Sequence, residues 1–184
     1  MARRAARAKR PLLTADQARA IYAYNFRVFD RFVRRVQRLP GRAARKRREI
    51  GHQSLFDTLV HILNVQEVWL TYVVRGRTSD AELETLFADA CRHPRDWKGF
   101  RAYARRVRAG TKAYVAALTP REMRRPVHVF WMPGDYTVSD AILQSTFEEA
   151  HHLGEIIGAL WQDDLPSPEM TWIGVGRAEW RARP

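Results

Sequence analysis

Cysteine is almost missing from this 184-residue chain, where Cys91 is the only one. A lone thiol excludes an internal disulfide, a cysteine-based zinc knuckle and a CxxC redox pair. No apolar run approaches the roughly 20 residues that a membrane-spanning helix needs, and no secretory hydrophobic region is present. These absences predict a protein of a reducing interior, with the cytoplasm as the expected compartment and no membrane insertion. Acidic residues are also scarce over one long stretch. Residues 1–48 hold 16 Lys and Arg against only Asp16 and Asp30, so the net charge of +12 is regional and the remainder of the chain sums to about −2.

What is present suffices for one folded domain: 46% of residues are hydrophobic and 11% aromatic, enough to bury a core at this length. The basic block has two readings. It is either an arginine-rich solvated face, or a surface that meets nucleic acid or an anionic membrane through counterion release. No groove-reading motif accompanies the charge. Residues 1–13 read as a basic disordered tail, residues 14–165 as the domain, and residues 166–184 as an apolar tail that folds back on the domain or joins a subunit interface.

Four long amphipathic helices organise the domain. Thr14 with Gln17 has the form of a capping box that opens the first helix, whose apolar stripe runs from Ala18 through Phe29 and Phe32 to Leu39 before Pro40-Gly41 ends it. Ser54 opens the second helix, which reaches about Arg75, with Gly76 as its stop. A short amphipathic piece is expected around Ala81–Cys91. The third helix spans about Arg95 to Leu118. Residues 126–137, with Pro133-Gly134-Asp135 at their centre, look extended and predict a small hairpin. The fourth helix runs from about Thr137 to Gln162, and Pro166 and Pro168 follow it. The expected fold is all-α, a four-helix bundle with a long crossover before the last helix.

The fourth helix carries Phe147-Glu148-Glu149-Ala150-His151-His152-Leu153-Gly154-Glu155. Glu148 and His152 lie four residues apart, hence above one another on one helical face, where a carboxylate and an imidazole can converge on one ion. His151 stands three residues after Glu148, a spacing that fits almost as well. Ala141, Ser145, Glu148, His152 and Ala159 share a stripe beside the core-facing one, and a carboxylate there needs a partner. On the second helix His61 falls on the stripe of Thr58, Val65, Val68 and Tyr72, facing inward or at the core's edge. A packed core histidine is the alternative for His61 taken alone. His61, Glu148 and His152 are thus the candidate metal ligands. With three protein ligands, the site would keep a position open to water or a thiol.

The run Ser54-Leu55-Phe56-Asp57-Thr58-Leu59-Val60-His61, with Glu67 and Trp69 after it and His151-His152-Leu153-Gly154-Glu155 later, resembles the DinB/YfiT-like family of metalloenzymes over roughly residues 14–165. In that family a histidine of the second helix and two histidines four apart on the fourth bind a divalent metal. His61 and His152 match. Glu148 stands where the first fourth-helix histidine is usual, and Glu155 where a glutamine is frequent. The resemblance implies a divalent ion, zinc foremost, with nickel, iron or manganese as alternatives, since ligand type selects poorly among them. It also implies thiol-dependent chemistry with a low-molecular-weight thiol as co-substrate, in which Glu155 or Glu67 orients a ligand or shuttles a proton. The leading expectation is a homodimeric metal-dependent transferase or hydrolase acting on a small molecule. The rivals are a basic nucleic-acid-binding module and a helical assembly protein without catalysis.

Deleting residues 1–10, which have no apolar periodicity to bury, should leave the thermal unfolding midpoint unchanged. A calorimetric scan of the two chains decides it, and a large drop for the truncated one would show a docked segment.

Overall fold

The hydroxyl of Thr14 accepts from the Gln17 amide at 3.1 Å while the Gln17 side chain accepts from the Thr14 amide at 2.8 Å. This reciprocal cap starts α1, Ala15–Gln37, in a computed structural model that describes residues 11–76, 79, 81 and 94–176. The short piece expected around Ala81–Cys91 lies outside the described residues except for Ala81. Gly41, with φ of +52°, turns the chain after α1. A 3-10 turn at Ala43–Arg45 follows. Ser54 then caps α2, Leu55–Glu67, through the Asp57 amide. Beyond Glu67 the helix widens into a π-helical segment, Val68–Val73, and reaches Gly76 at φ of +58°.

Asp96 caps α3, Trp97–Ala116. Thr119 caps the short α4, Pro120–Met123. The crossover then forms a minimal antiparallel ladder in which β1, Pro126–Val127, faces β2, Tyr136–Thr137, with Pro126 opposite Thr137 and Val127 opposite Tyr136. Thr137 and Asp140 close a second capping box, and α5 runs over Val138–Gln162. The fold is therefore an all-α bundle of four long helices with a small hairpin in its crossover. α5 packs most extensively on α2 and also lies along α1, while α3 covers α1 and α2. Residues 166–176 return along α1: Arg35 Nε donates to the Pro166 carbonyl at 2.8 Å, the Tyr24 hydroxyl donates to the Met170 carbonyl, and Trp172 packs on Tyr24 at 5.0 Å between ring centroids.

Two apolar clusters make the core. One, toward the hairpin, contains Tyr22, Trp69, Leu70, Val115, Met123 and Ile142. The other contains Phe29, Phe32, Phe56, Leu59, Phe100, Val107, Leu153 and Ile156. Where the helices pass from one cluster to the other they bury polar side chains: Asn25 of α1, Thr111 of α3, and Ser145 and Glu149 of α5. A buried polar group costs free energy unless it is hydrogen-bonded, and Asn25 donates to the Glu149 carboxylate at 3.2 Å.

Burial raises the Glu149 carboxyl to about 7, against the opposing effects of the Arg108 charge and the Asn25 bond. The native state thus keeps this proton where the unfolded chain, titrating near 4.5, has released it. Stability contributed by this group falls as pH rises from about 4.5 to 7 and is level above, a span on the order of 3 kcal/mol at most. Glu149→Gln should remove that decline and unfold at a higher temperature than the parent at pH 8. Parallel melting curves between pH 4.5 and 8 test the sign; a difference between the two proteins that does not change with pH would refute it.

Candidate metal centre

Three imidazoles meet although they come from three separate places in the chain. His61 projects from α2, His152 from α5, and His52 from the loop before the Ser54 cap. One ring nitrogen of each lies within 4.8 Å of those of the other two. The rings of His52 and His61 stack with centroids 3.6 Å apart, and His152 stands edge-on to His61 at 4.5 Å and to His52 at 5.1 Å. His152 is buried, and the other two are half-buried.

Glu155, one turn along α5, fixes the His152 ring. Its Oε2 is 2.8 Å from His152 Nδ1, and its Oε1 accepts from the Gly51 amide at 3.4 Å. Burial pushes this carboxyl up, but the bond and charge of His152, with the Gly51 amide and His151, prevail and hold it below the usual carboxylate range. The Glu155 carboxylate thus orients the His152 ring through Nδ1. On the opposite side, Glu148 Oε2 stands 3.5 Å from His152 Nε2, and Gln144 Nε2 holds the other Glu148 oxygen at 2.7 Å.

A ligand carried on a loop is only as well placed as the loop. Buried Arg48 gathers this one: its guanidinium donates to the carbonyls of Ala43 at 2.9 Å and Lys46 at 3.0 Å, and to Asp163 of the α5 C-cap at 2.6 Å. Lys46 meets the other Asp163 oxygen at 2.9 Å. The Arg48 amide donates to the Gln53 carbonyl at 2.6 Å, closing the loop on itself, and Gln53 adopts a φ of +61° to allow it. Gly51 permits the approach of Glu155, because a Cβ there would lie 3.1 Å from Oε1.

Of the residues expected from the sequence, His61 and His152 are brought together, and Glu148 stands beside His152 but outside the group of three nitrogens. His151 is exposed, its Nε2 3.7 Å from Glu155 Oε1. Glu155 is placed against the site. Glu67 is not: it turns toward α3, where the Tyr103 hydroxyl donates to it at 3.0 Å and Arg106 forms an ion pair with it. The residue that sequence reasoning missed is His52. It sits in no periodic pattern, and its only signal is a histidine two residues before a helix cap, nine before His61.

Three imidazoles whose ring nitrogens converge within 4.8 Å, one ring held by a carboxylate, form a donor set that can hold a divalent metal ion. The sequence profile of the DinB superfamily matches residues 27–156, which take in all three histidines and Glu155. No curated protein matches the chain.

Asp163→Asn should leave the Arg48 cation poorly paired and loosen the His52 loop. Hydrogen exchange of the metal-free protein is expected to quicken about tenfold at the Gly51 and Gln53 amides, with α2 unchanged. Unaltered exchange in the loop would mean that Asp163 does not hold it.

Proposed function

From the premise that this chain belongs to the DinB superfamily, we propose that it is a metal-dependent enzyme in which His52, His61 and His152 hold one divalent ion. The observation that carries the reading is the convergence of three imidazoles from three chain segments within 4.8 Å. Zinc is the ion that three nitrogen ligands suit best, with nickel, iron or manganese as alternatives. Bound there, the ion supplies Lewis acidity that lowers the proton affinity of a coordinated thiol or water.

The protein's own groups have distinct parts. Glu155 Oε2 keeps the His152 proton on Nδ1, so that Nε2 remains a ligand atom. Glu148 Oε2, 3.5 Å from that nitrogen and held through its other oxygen by Gln144, is a proton acceptor beside the site. A low-molecular-weight thiol is the co-substrate this arrangement serves best, and transfer of its sulfur to a small electrophile is the reaction class. Glu148 then takes the S–H proton, and the thiolate sulfur bonds the electrophilic carbon as the bond from that carbon to its leaving group breaks; the leaving group departs with the bonding pair and can take the proton back from Glu148. Hydrolysis is the alternative, with water in the thiol's place. A homodimer remains the expected assembly.

Metal analysis of protein prepared without an affinity tag should give one ion per chain. His52→Ala, His61→Ala and His152→Ala should each lower cobalt affinity at least tenfold, while His151→Ala and Glu148→Gln retain it. In the parent, a small thiol should shift the cobalt spectrum while Glu148 keeps the thiol's proton, so that little is released to the buffer; in Glu148→Gln the same shift should release about one proton. Full retention of cobalt in His52→Ala, or no binding to the parent, would refute the proposal.

A further inference from the structure

One turn before Glu148, α5 borders a cavity of about 250 Å³ that none of the imidazoles lines. Its walls are Trp69 from the π-helical segment, Val129, Met132 and Tyr136 from the crossover, and Ala141 and Gln144 from α5. The exposed Phe147 stands at its rim. Two features of the fold open this space. The π-helical segment widens α2 just where Trp69 emerges, a deviation that recurs at functional sites. Ala141 is also the smallest side chain α5 offers at that level, beside Ile142 and Leu143.

The polar groups on the walls are few and largely committed. Asp140 accepts from the Thr137 amide at 2.8 Å and from the Thr137 hydroxyl at 2.7 Å, and the Tyr136 hydroxyl donates to the Pro133 carbonyl at 3.1 Å. Gln144 gives its amide N–H to Glu148 at 2.7 Å, which leaves its carbonyl oxygen as an available acceptor. Among the described residues, no lysine or arginine lines the cavity, and Asp140 with Glu148 makes its surroundings unfavourable for an anion.

We propose that this cavity is the subsite for the apolar portion of the substrate: a compact, uncharged aromatic or branched group carrying one O–H or N–H that donates to the Gln144 carbonyl. The volume suits about one ring with a short substituent, and apolar walls with one oriented polar group are the usual make-up of a small-molecule site. Gln144 connects the subsite to the centre, because the amide group whose oxygen takes the ligand's proton donor also holds Glu148 beside His152. The role of the cavity as a substrate subsite rests on the metal reading above; its preference among ligands does not.

Benzyl alcohol and benzoate, equal in size and opposite in suitability, are the probes. Titration followed by calorimetry and ligand-observed NMR should show millimolar binding of benzyl alcohol and at least tenfold weaker binding of benzoate. Met132→Trp should fill the cavity and weaken benzyl alcohol at least tenfold, with cobalt uptake retained; Leu143→Trp serves as the second filling variant should Met132→Trp fold poorly. Failure of benzyl alcohol to bind, binding in both filling variants as tight as in the parent, or benzoate binding as tightly as the alcohol would each overturn the proposal. Benzyl alcohol binding lost on filling, in a parent that takes up no metal, would support the cavity's preference and refute the metal reading.

Discussion

His52 is carried by a loop, and it can stay beside His61 and His152 only if that loop is pinned to the helices that carry those two. The protein meets this constraint with α5. Asp163, at the C-cap of α5, takes the Arg48 guanidinium, and Glu155, two turns earlier, takes the Gly51 amide while orienting His152. One helix thus carries His152, orients its ring through Glu155 and anchors the segment bearing His52. Glu155 is the narrowest point in this arrangement, because a single carboxylate bonds both the ring on α5 and the backbone beside His52.

Much of this architecture was legible in the chain. The capping pairs Thr14 with Gln17 and Thr137 with Asp140, and the three- and four-residue spacing of Phe29, Phe32, Leu59 and Ile156, follow from local geometry that a sequence states directly. The pairing of His61 with His152 was readable for the same reason, since both sit on regular helices whose faces can be counted. His52 was not, because a loop has no period and its position depends on contacts of Arg48 and Gly51 with residues more than 100 positions away. Glu67, six residues after His61 and so about 120° away around the helix, meets Tyr103 and Arg106 of α3. The π-helical segment at Val68–Val73 leaves no mark in the pattern either, as its residues are as apolar as those of an ordinary helix.

The charge of the first 48 residues also acquires structural meaning. Part of it is paired: Arg48 and Lys46 share Asp163, and Arg19 pairs with Asp16. Exposed pairs of this kind add little to stability. Arg48 is different because its side chain is buried, and a buried cation depends on the geometry of its partner. The basic character of the region therefore includes an internal latch on the loop that presents His52.

The widened turn at Val68–Val73 bears on how related chains should be compared. A π-helical segment holds one residue more than the α-helical path between the same flanking turns. A relative that runs straight through this region would be shorter by one position here, and an alignment that ignores this would misassign every residue from Trp69 to Gly76 by about 100° of helix face. The natural place for a one-residue gap is therefore inside this segment.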